Sequence, residues 1–262
     1  MAPVCLTLFA LALGLAATFG AYAFRLFTAG GAAAALAVGA AVLLAGGWGL
    51  ALTLVGAFAS TALLTRYRRS EKIQPEHRRG RSASQVLANG IVPATVAVAG
   101  ALLDLFWALP AAMGAIAVTT ADTWATEIGL LSHQPPRLIT TGAIVPRGRS
   151  GGITLLGTLS GAGGALFAAG LAWLALPTAG SAVVLTTACG GMTGLLVDSL
   201  LGATVQARYR CPACGEEGEV EACTCGEGRQ LAGGWRWITN DAVNVLGTLG
   251  GAIVGMLLSI LR

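Results

Sequence analysis

The chain alternates long apolar runs with short polar connections, and the length of the runs predicts helices that cross a membrane. Successive runs reach about 20 residues, enough to cross a hydrocarbon core of roughly 30 Å. The strand-length alternation of a membrane β-barrel is absent from the sequence. We therefore predict an all-α, polytopic membrane protein. Its eight expected spans are 3–24, 29–46, 48–65, 86–105, 107–131, 152–176, 180–203 and 240–261.

Composition supports this class. Apolar residues make up 55% of the chain and charged residues 11%, with a mean hydropathy of +0.74. A soluble globular domain carries about 25% charged residues. The 38 glycines suit helices that approach each other closely through small residues. Ala21-Tyr22-Ala23 mimics a signal-peptide cleavage site, but no basic region precedes the first run and Arg25 follows it, so we predict an uncleaved first span.

The basic residues predict the orientation in a cell membrane. Of the 16 lysine and arginine residues, 15 fall in alternate connections and only Arg262 lies elsewhere. These 15 are Arg25; Arg66, Arg68, Arg69, Lys72, Arg78, Arg79 and Arg81; Arg137, Arg147 and Arg149; and Arg208, Arg210, Arg229 and Arg236. The positive-inside rule makes these connections cytoplasmic and both termini extracytoplasmic. The opposite side has loops of a few residues with Asp104 as their one acid, which excludes an extracytoplasmic receptor or enzyme domain.

Polar residues gather where spans four and five meet the predicted cytoplasmic boundary. Gln85 and Asn89 lie four apart, hence on one helix face, where they either cap and bridge helices or contact a ligand. Asp122 and Glu127 lie inside span five, and ionisable groups inside a membrane are candidates for function. They are about 140° apart around an ideal helix, so either the helix is broken or the two acids serve different partners. A salt bridge to a nearby arginine and a metal- or phosphate-handling role both remain open.

The sequence before span six resembles an anion-binding turn. Ser150 is a candidate N-cap, followed by Gly151, Gly152 and free backbone N–H groups at a helix start. Arg147 and Arg149 add cations that bind phosphate well. An interfacial loop with ordinary positive-inside arginines is the alternative. No GxxxxGK[ST] motif is present, which excludes a P-loop.

A further polar group falls at the end of span seven and the start of span eight. Asp198, Gly202 and Gln206 follow at intervals of four, which predicts one polar stripe. Asn240, Asp241 and Asn244 open span eight, where helix capping is the alternative to ligand contact. Beyond them, the spacing of Gly247, Gly251 and Gly255 predicts a close-packing face.

Four carboxylates are expected at a similar membrane depth with arginines facing them, a combination that resembles a site for Mg²⁺ and phosphates. They are Asp122, Glu127, Asp198 and Asp241.

The connection between spans seven and eight carries four cysteines, at Cys211, Cys214, Cys223 and Cys225. Because disulfides rarely persist in the cytoplasm, the CxxC and CxC pairs predict a structural Zn²⁺ site, with free thiols, a redox role and an iron–sulfur cluster as alternatives. The surrounding glutamates at 216, 217, 219, 221 and 227 are typical of a solvated surface. Cys5 and Cys189 are expected to be small core residues. We thus predict one transmembrane domain over 1–262 with a cytoplasmic cysteine loop at 204–239.

Several motifs in order resemble one family. GRSASQVLANG, ADTWATEIG, VPRGRSGG, VDSLLGATVQARYRCPAC and NDAVN are similar to an integral-membrane family of unknown function that includes transmembrane protein 19 and the plant phytyl-phosphate kinase of tocopherol biosynthesis. The resemblance implies phosphorylation of an isoprenyl monophosphate to the diphosphate, with CTP favoured as donor. Asp122 to Gly129 and Arg149 to Gly152 also resemble CTP-dependent polyprenol kinases, which usually have lysine where this chain has Arg149.

We therefore expect a membrane-embedded isoprenyl-monophosphate kinase with Mg²⁺ on Asp122, assisted by Asp198 or Glu127. Arg147, Arg149 and the amides near Ser150 would offset charge on the transferred group, and Asn89, Asn240 and Asn244 would orient phosphate or metal-bound water. Expected partners are membrane lipid, an isoprenyl phosphate and a nucleoside triphosphate, without nucleic acid; a homo-oligomer is compatible with the sequence. The competing hypotheses are an ion or small-solute transporter using the same acids and a non-catalytic scaffold.

Overall fold

A computed structural model describes residues 2–68, 80–176 and 180–261, with side chains from Thr7 onward in the first helix. Arg69, Lys72, Arg78, Arg79 and Arg262 of the predicted charge pattern, and the side chain of Cys5, lie outside the described part.

Within these ranges the chain forms seven helices and five short strands. The helices are α1 (Ala2–Ala23), α2 (Ala29–Arg66), α3 (Ala83–Leu103), α4 (Ala108–Gly129), α5 (Leu155–Ala175), α6 (Gly180–Thr204) and α7 (Asn240–Ile260). The strands are β1 (Arg137–Leu138), β2 (Gly152–Ile153), β3 (Arg208–Arg210), β4 (Glu217–Gly218) and β5 (Gln230–Gly233). The prediction of a mostly helical chain is confirmed.

Helix α2 turns back on itself, so predicted spans two and three are its two arms. Gly47 at the turn has φ 74° and ψ −174°, a backbone conformation that glycine adopts readily. The Phe27 and Phe58 rings stack with centroids 4.8 Å apart, which a straight helix of this length would not allow. Arg66 also donates to the carbonyl of Phe24. By length and composition, five described helices can cross a membrane: α2, α3, α5, α6 and α7. That finding does not establish the predicted count of eight spans.

Helix α4 is the centre of the bundle. It contacts α2, α3, α5, α6 and α7, and its first half, from Ala111 to Val118, is buried on all sides. A helix that is apolar all round belongs in the interior. The polar second half of α4 continues from this buried segment and places Asp122 and Glu127 toward one end of the bundle.

Glycines allow α4, α6 and α7 to meet backbone to backbone. A methyl group added at Gly114 of α4 would lie 2.4 Å from the carbonyl oxygen of Gly251 on α7, and one at Gly190 of α6 would lie 2.9 Å from the Cα of Gly114. One at Gly255 would lie 2.4 Å from the carbonyl oxygen of Pro110. The packing role predicted for the glycines of the last helix is confirmed.

We expect Gly114→Ala to lower the stability of the fold by about 1–3 kcal/mol, because the added methyl overpacks a contact formed by backbone. Gly170→Ala is the matched control: nothing lies within 4 Å of a methyl group at that helical position, so alanine should leave stability unchanged or raise it slightly. Thermal unfolding of the purified protein in detergent measures both. Equal melting temperatures for the two variants would contradict the tight junction.

The described parts of the four basic connections lie at one end of the bundle, where Asp122 is within electrostatic range of both Arg81 and Glu219. The α1–α2 turn is joined to residue 81 by a parallel bridge between Phe27 and Arg81. The α4–α5 connection reaches the cysteine loop through Arg149 and Glu217. Within the cysteine loop β3 lies between β4 and β5, both antiparallel to it. The sides of the membrane that these loops and the termini face stay predictions.

Candidate functional site

Asp122 and Glu127 lie on one unbroken helix, since α4 continues to Gly129. The hypothesis of a break in the helix is therefore wrong. Asp122 is half-buried and Glu127 is 8% exposed. With the side chains pointing in different directions, the two carboxylates do not form a pair by themselves.

Arg81 is a cation within electrostatic range of both carboxylates. Its guanidinium donates to the Thr61 hydroxyl at 3.2 Å and lies over the Phe58 ring, 5.3 Å from the centroid. Burial lowers the pKa of Arg81, while the negative charges of Glu127 and Asp122 oppose that shift. Arg81 is therefore the candidate for the nearby arginine that the salt-bridge alternative requires. In the sequence Arg81 is one member of a basic run, and no local signal distinguishes it from its neighbours.

Asp198, on α6, lies near the same site. It lies on α6 beside α7, where a methyl group added at Gly247 would be 3.4 Å from its Oδ2. Asp198 is within electrostatic range of Asp122 and of Glu219 in the cysteine loop. Glu219 is also within range of Asp122. The acidic group of this site is therefore Asp122, Asp198 and Glu219, contributed by α4, α6 and the loop.

The loop glutamates at 216, 217, 221 and 227 are exposed, as expected, and Glu219 is half-buried. Several of them also form specific contacts. Glu219 accepts a hydrogen bond from the Ser150 hydroxyl, and Glu217 pairs with Arg149 at 2.9 Å. Glu216 pairs with Arg229 at 2.9 Å, and Arg229 is itself buried. The contacts of Glu219 and Glu217 join positions 69 and 68 residues apart in the chain, so local sequence gives no sign of them.

The segment before α5 is not a helix start. Helix α5 begins at Leu155 with Thr154 as N-cap, whose side chain accepts from the Gly157 amide at 2.9 Å. The prediction of Ser150 as N-cap is wrong because Gly152 and Ile153 pair with Arg137 and Leu138 as a short strand. The Gly152 amide already donates to the Arg149 carbonyl at 2.9 Å.

Ser150 and Gly151 instead pack on the end of α6. The buried Gln206 donates from Nε2 to the Ser150 hydroxyl at 3.0 Å. Gly151 has φ 74°, and a methyl group there would lie 2.4 Å from the Ala203 amide nitrogen. Gln206 therefore positions Ser150, which in turn contacts Glu219 of the acidic group.

Three other residues that were predicted to bind a ligand form hydrogen bonds within the protein. Arg147 donates to the carbonyls of Leu130 and Ser132 just beyond α4, at 3.4 and 2.6 Å, an arrangement that stabilises the helix end. Gln85 forms a capping box with Ser82 at the start of α3, as the structural alternative proposed. Asn89 donates to the Gln85 carbonyl at 2.9 Å.

The polar residues at the start of α7 follow the capping alternative in part. Thr239 is the N-cap and accepts from the Ala242 amide. Asp241 lies in the first turn, where a carboxylate stabilises a helix. Asn240 is exposed and Asn244 half-buried. Of the predicted acids, Asp122 and Asp198 thus lie within electrostatic range of each other, and Glu219 joins them from the cysteine loop.

The four loop cysteines form a cluster that can hold a metal ion. Their sulfur atoms lie within 4.8 Å of one another, with Cys211–Cys225 and Cys214–Cys223 separations of 3.5 Å. Tetrahedral Zn²⁺ with bonds of about 2.3 Å places its sulfurs about 3.8 Å apart. The backbone amide of Cys214, assisted by that of Ala213, lowers the pKa of the Cys211 thiol to about 7. A thiol of this pKa loses its proton readily on metal binding.

Comparison with known proteins places this geometry in context. The model of the family described as "Integral membrane protein DUF92" matches residues 12–252. An uncharacterised membrane protein of Methanocaldococcus jannaschii is 33% identical over 178 residues, 68% of this chain and 62% of that protein. An uncharacterised membrane protein of Synechocystis is 29% identical over 88% of this chain and 82% of its own. The chloroplast protein VTE6 of Arabidopsis thaliana is 30% identical over 53% of this chain and 34% of its own.

The chain thus spans less than two thirds of the length of the methanogen and Arabidopsis relatives. No solved structure matches it.

Proposed function

The chain belongs to the DUF92 family of integral membrane proteins, and we propose that it is a membrane-embedded isoprenyl-monophosphate kinase. The donor is a nucleoside triphosphate, with CTP favoured by the motif resemblance, and the acceptor is a phytyl- or geranylgeranyl-type phosphate. One observation carries the proposal: Asp122, Asp198 and Glu219 lie within electrostatic range of one another, and the half-buried Arg81 is within range of Asp122, at the end of the bundle where the polar loops meet. A lipid phosphate between the helices and a nucleotide from the aqueous side can both reach that end.

The acidic group fits Mg²⁺ by the chemistry of its donors. Three neighbouring carboxylates repel one another, and a divalent cation among them relieves that repulsion. Mg²⁺ takes oxygen ligands and is usually held by one or two carboxylates together with substrate phosphates. In the described part of the chain, the four cysteines are the one group of three or more such residues whose ligand atoms all lie within 4.8 Å of one another. We therefore assign Asp122 and Asp198 to the metal, with Glu219 assisting, and leave remaining ligand positions to phosphate oxygens.

In the reaction, an oxygen of the lipid phosphate forms a bond to the terminal phosphorus of the nucleotide, and the bond to the leaving nucleoside diphosphate breaks. Asp122 and Asp198 would hold Mg²⁺, which would supply positive charge against the nucleotide phosphates. Arg81 and Arg149 add fixed positive charge on either side of the acids. Because the acceptor is already an anion, no general base is assigned. The protein acts by positioning and electrostatics.

The remaining parts of the proposal concern placement. We propose eight membrane crossings, counting α1, α4 and each arm of α2. The cysteine loop and the other basic connections then face the cytoplasm and both termini face outward. The loop is one small metal-bound unit, with Zn²⁺ on its four cysteines, within a single transmembrane domain.

The direct test incubates purified protein with labelled CTP, Mg²⁺ and phytyl, geranylgeranyl or farnesyl phosphate, and separates lipid products. Formation of a labelled lipid diphosphate is the expected result. If no acceptor yields one with any nucleoside triphosphate, the kinase proposal fails. Ion flux in liposomes that depends on Asp122 would instead support the transporter hypothesis.

Glu219→Gln is expected to reduce kcat by about 10-fold, because it removes one carboxylate from the acidic group while keeping its shape. Glu221→Gln, the same change two residues further on, is the matched control. Glu221 pairs with Arg236 at 3.0 Å, and both side chains are largely exposed. An exposed pair contributes little, so activity should stay within about 2-fold. Similar rates for the two variants in the labelled-CTP assay would remove Glu219 from the site.

A further inference from the structure

Three arginines converge on one glutamate at the edge of the proposed site. Arg149 donates from one guanidinium nitrogen to Oε2 of Glu217 at 2.9 Å. Arg210 lies 3.4 Å from Oε1 of the same carboxylate. Arg208 is within electrostatic range of both Arg149 and Glu217. We call Arg149, Arg208, Arg210 and Glu217 the arginine cluster.

The fold explains why the cluster forms. Arg208 and Arg210 lie on β3 on either side of the buried Tyr209, with a register irregularity between Arg208 and Tyr209. Glu217 on β4 is the cross-strand partner of Arg210. Arg149 comes from the α4–α5 connection. The cluster thus joins the cysteine loop to the helical bundle.

The cluster has more positive charge and more hydrogen-bond donors than its glutamate can satisfy. Each oxygen of Glu217 is used by one arginine. The Nε atoms of Arg149 and Arg208 are buried, and neither has a hydrogen-bond partner in the part of the chain that the structure describes. Buried donors are normally paired. Burial, together with the neighbouring charge of Arg149, lowers the pKa of the Arg208 guanidinium, while Glu217 opposes the shift.

A polyphosphate would supply the negative charge and the acceptor oxygens that the arginine cluster lacks. It carries several negative charges and many acceptor oxygens, and arginine binds phosphate in a two-pronged geometry that uses Nε together with a terminal nitrogen. The cluster also adjoins the acidic group, because Arg149 precedes Ser150 in the chain and Ser150 contacts Glu219. A phosphate chain on the arginines would therefore extend toward Asp122 and Asp198.

We infer that Arg149, Arg208 and Arg210 bind the phosphate chain of the nucleotide, and that Glu217 occupies these arginines until the phosphates displace it. This inference rests on the proposed function, because it assigns the donor side of the same site. Arg208 and Arg210 become nucleotide-binding residues that the sequence had indicated only as positive-inside charges. Glu217 acts as an internal competitor, so it sets the affinity for the ligand.

The test measures binding of inorganic tripolyphosphate, and separately of CTP with Mg²⁺, to the full-length protein in detergent by calorimetry. Arg208→Gln and Arg210→Gln are each expected to weaken tripolyphosphate binding by about 10-fold or more. Glu217→Gln is expected to tighten it by about 3- to 10-fold, because an amide competes poorly for guanidinium groups. The control is Arg236→Gln, which removes one arginine from an exposed pair in the same loop; it should change binding by less than about 2-fold.

The Glu217→Gln variant distinguishes a phosphate-binding site from a contact that only holds the loop on the bundle. If Arg149 and Glu217 served only to hold the loop on the bundle, neutralising the glutamate would loosen the loop and leave tripolyphosphate binding unchanged or weaker. Either result overturns the inference, as does the absence of tripolyphosphate binding to the wild type. Equal losses of tripolyphosphate affinity in the Arg208→Gln and Arg236→Gln variants would also overturn the inference, because they would reflect the overall charge of the loop.

Failure of the inference and failure of the proposed kinase activity give different results. If wild type phosphorylates a lipid phosphate and Arg208→Gln leaves the KM for the nucleotide unchanged, the kinase proposal stands and the arginine-cluster site is wrong. If the binding changes follow the expected order but no lipid acceptor is phosphorylated, the arginines bind polyphosphate and the kinase proposal is wrong.

Discussion

Asp122→Asn is expected to reduce kcat for phosphoryl transfer by at least about 100-fold while the protein stays folded. Asparagine keeps the size of the side chain but removes its charge, and electrostatic groups aimed at a transferring phosphoryl group typically contribute a factor of this order. Asp122 is the acid of the site that is within range of Arg81 and of Glu219. The labelled-CTP assay gives the rate, and the melting temperature shows whether the bundle remains intact.

Asp104→Asn is the matched control for that loss. Asp104 is exposed at the C-terminal end of α3, with φ 53° and ψ 48°. Asparagine tolerates this left-handed conformation well, so the same chemical change should leave both the rate and the fold unaltered. Full activity in Asp122→Asn would contradict the proposed mechanism, whatever the behaviour of the control.

Cys211→Ser is expected to abolish metal binding by the cysteine loop and to lower kinase activity by more than 10-fold. Cys211 is buried at 1% exposure within the cluster, and metal bound to such a cluster contributes directly to folding of the unit that holds it. The loop carries Glu217 and Glu219 to Arg149 and Ser150. Disorder of the loop would therefore remove Glu219, Arg208 and Arg210 from the proposed site.

Two measurements check that expectation. Elemental analysis of the purified wild type should give about one zinc per chain, and the Cys211 variant should give almost none. Limited proteolysis should cleave the variant between α6 and α7. Cys189→Ser is the control, because Cys189 lies on α6 away from the cluster and should leave metal content unchanged. A wild type without zinc, or a metal-free Cys211 variant with full activity, would contradict the structural role of the metal.

The helices could be predicted because hydropathy reports them directly. The span expected at 240–261 is the helix Asn240–Ile260, and that at 180–203 is Gly180–Thr204. The break at Gly47 was also visible in the glycine-rich sequence, although the chain there forms a kinked element with two arms. What hydropathy cannot give is the side of the bundle to which each polar residue turns.

The errors in the predicted site have a common physical cause. Ser150 followed by two glycines is locally a reasonable helix start, but pairing of Gly152 and Ile153 with a strand 15 residues earlier decided otherwise. Glu219 appeared to be one of several surface acids, and only a contact across 69 positions connects it with Ser150. Arg81 resembled its basic neighbours until the fold placed it beside Thr61 and Phe58. Long-range contacts therefore determined the acidic group.

The position of Arg81 in the chain has a consequence for how the protein is made. Arg81 is synthesised before Asp122 and Glu127, the acids whose charges it faces. An acid inside a membrane helix is costly to insert unless it finds a partner. When α4 enters the bilayer its counter-ion is already in place at the end of α2 and the start of α3, whereas Asp198 and Glu219 follow later. A counter-ion for the acids of α4 is thus available as that helix inserts, before Asp198 and Glu219 add further negative charge.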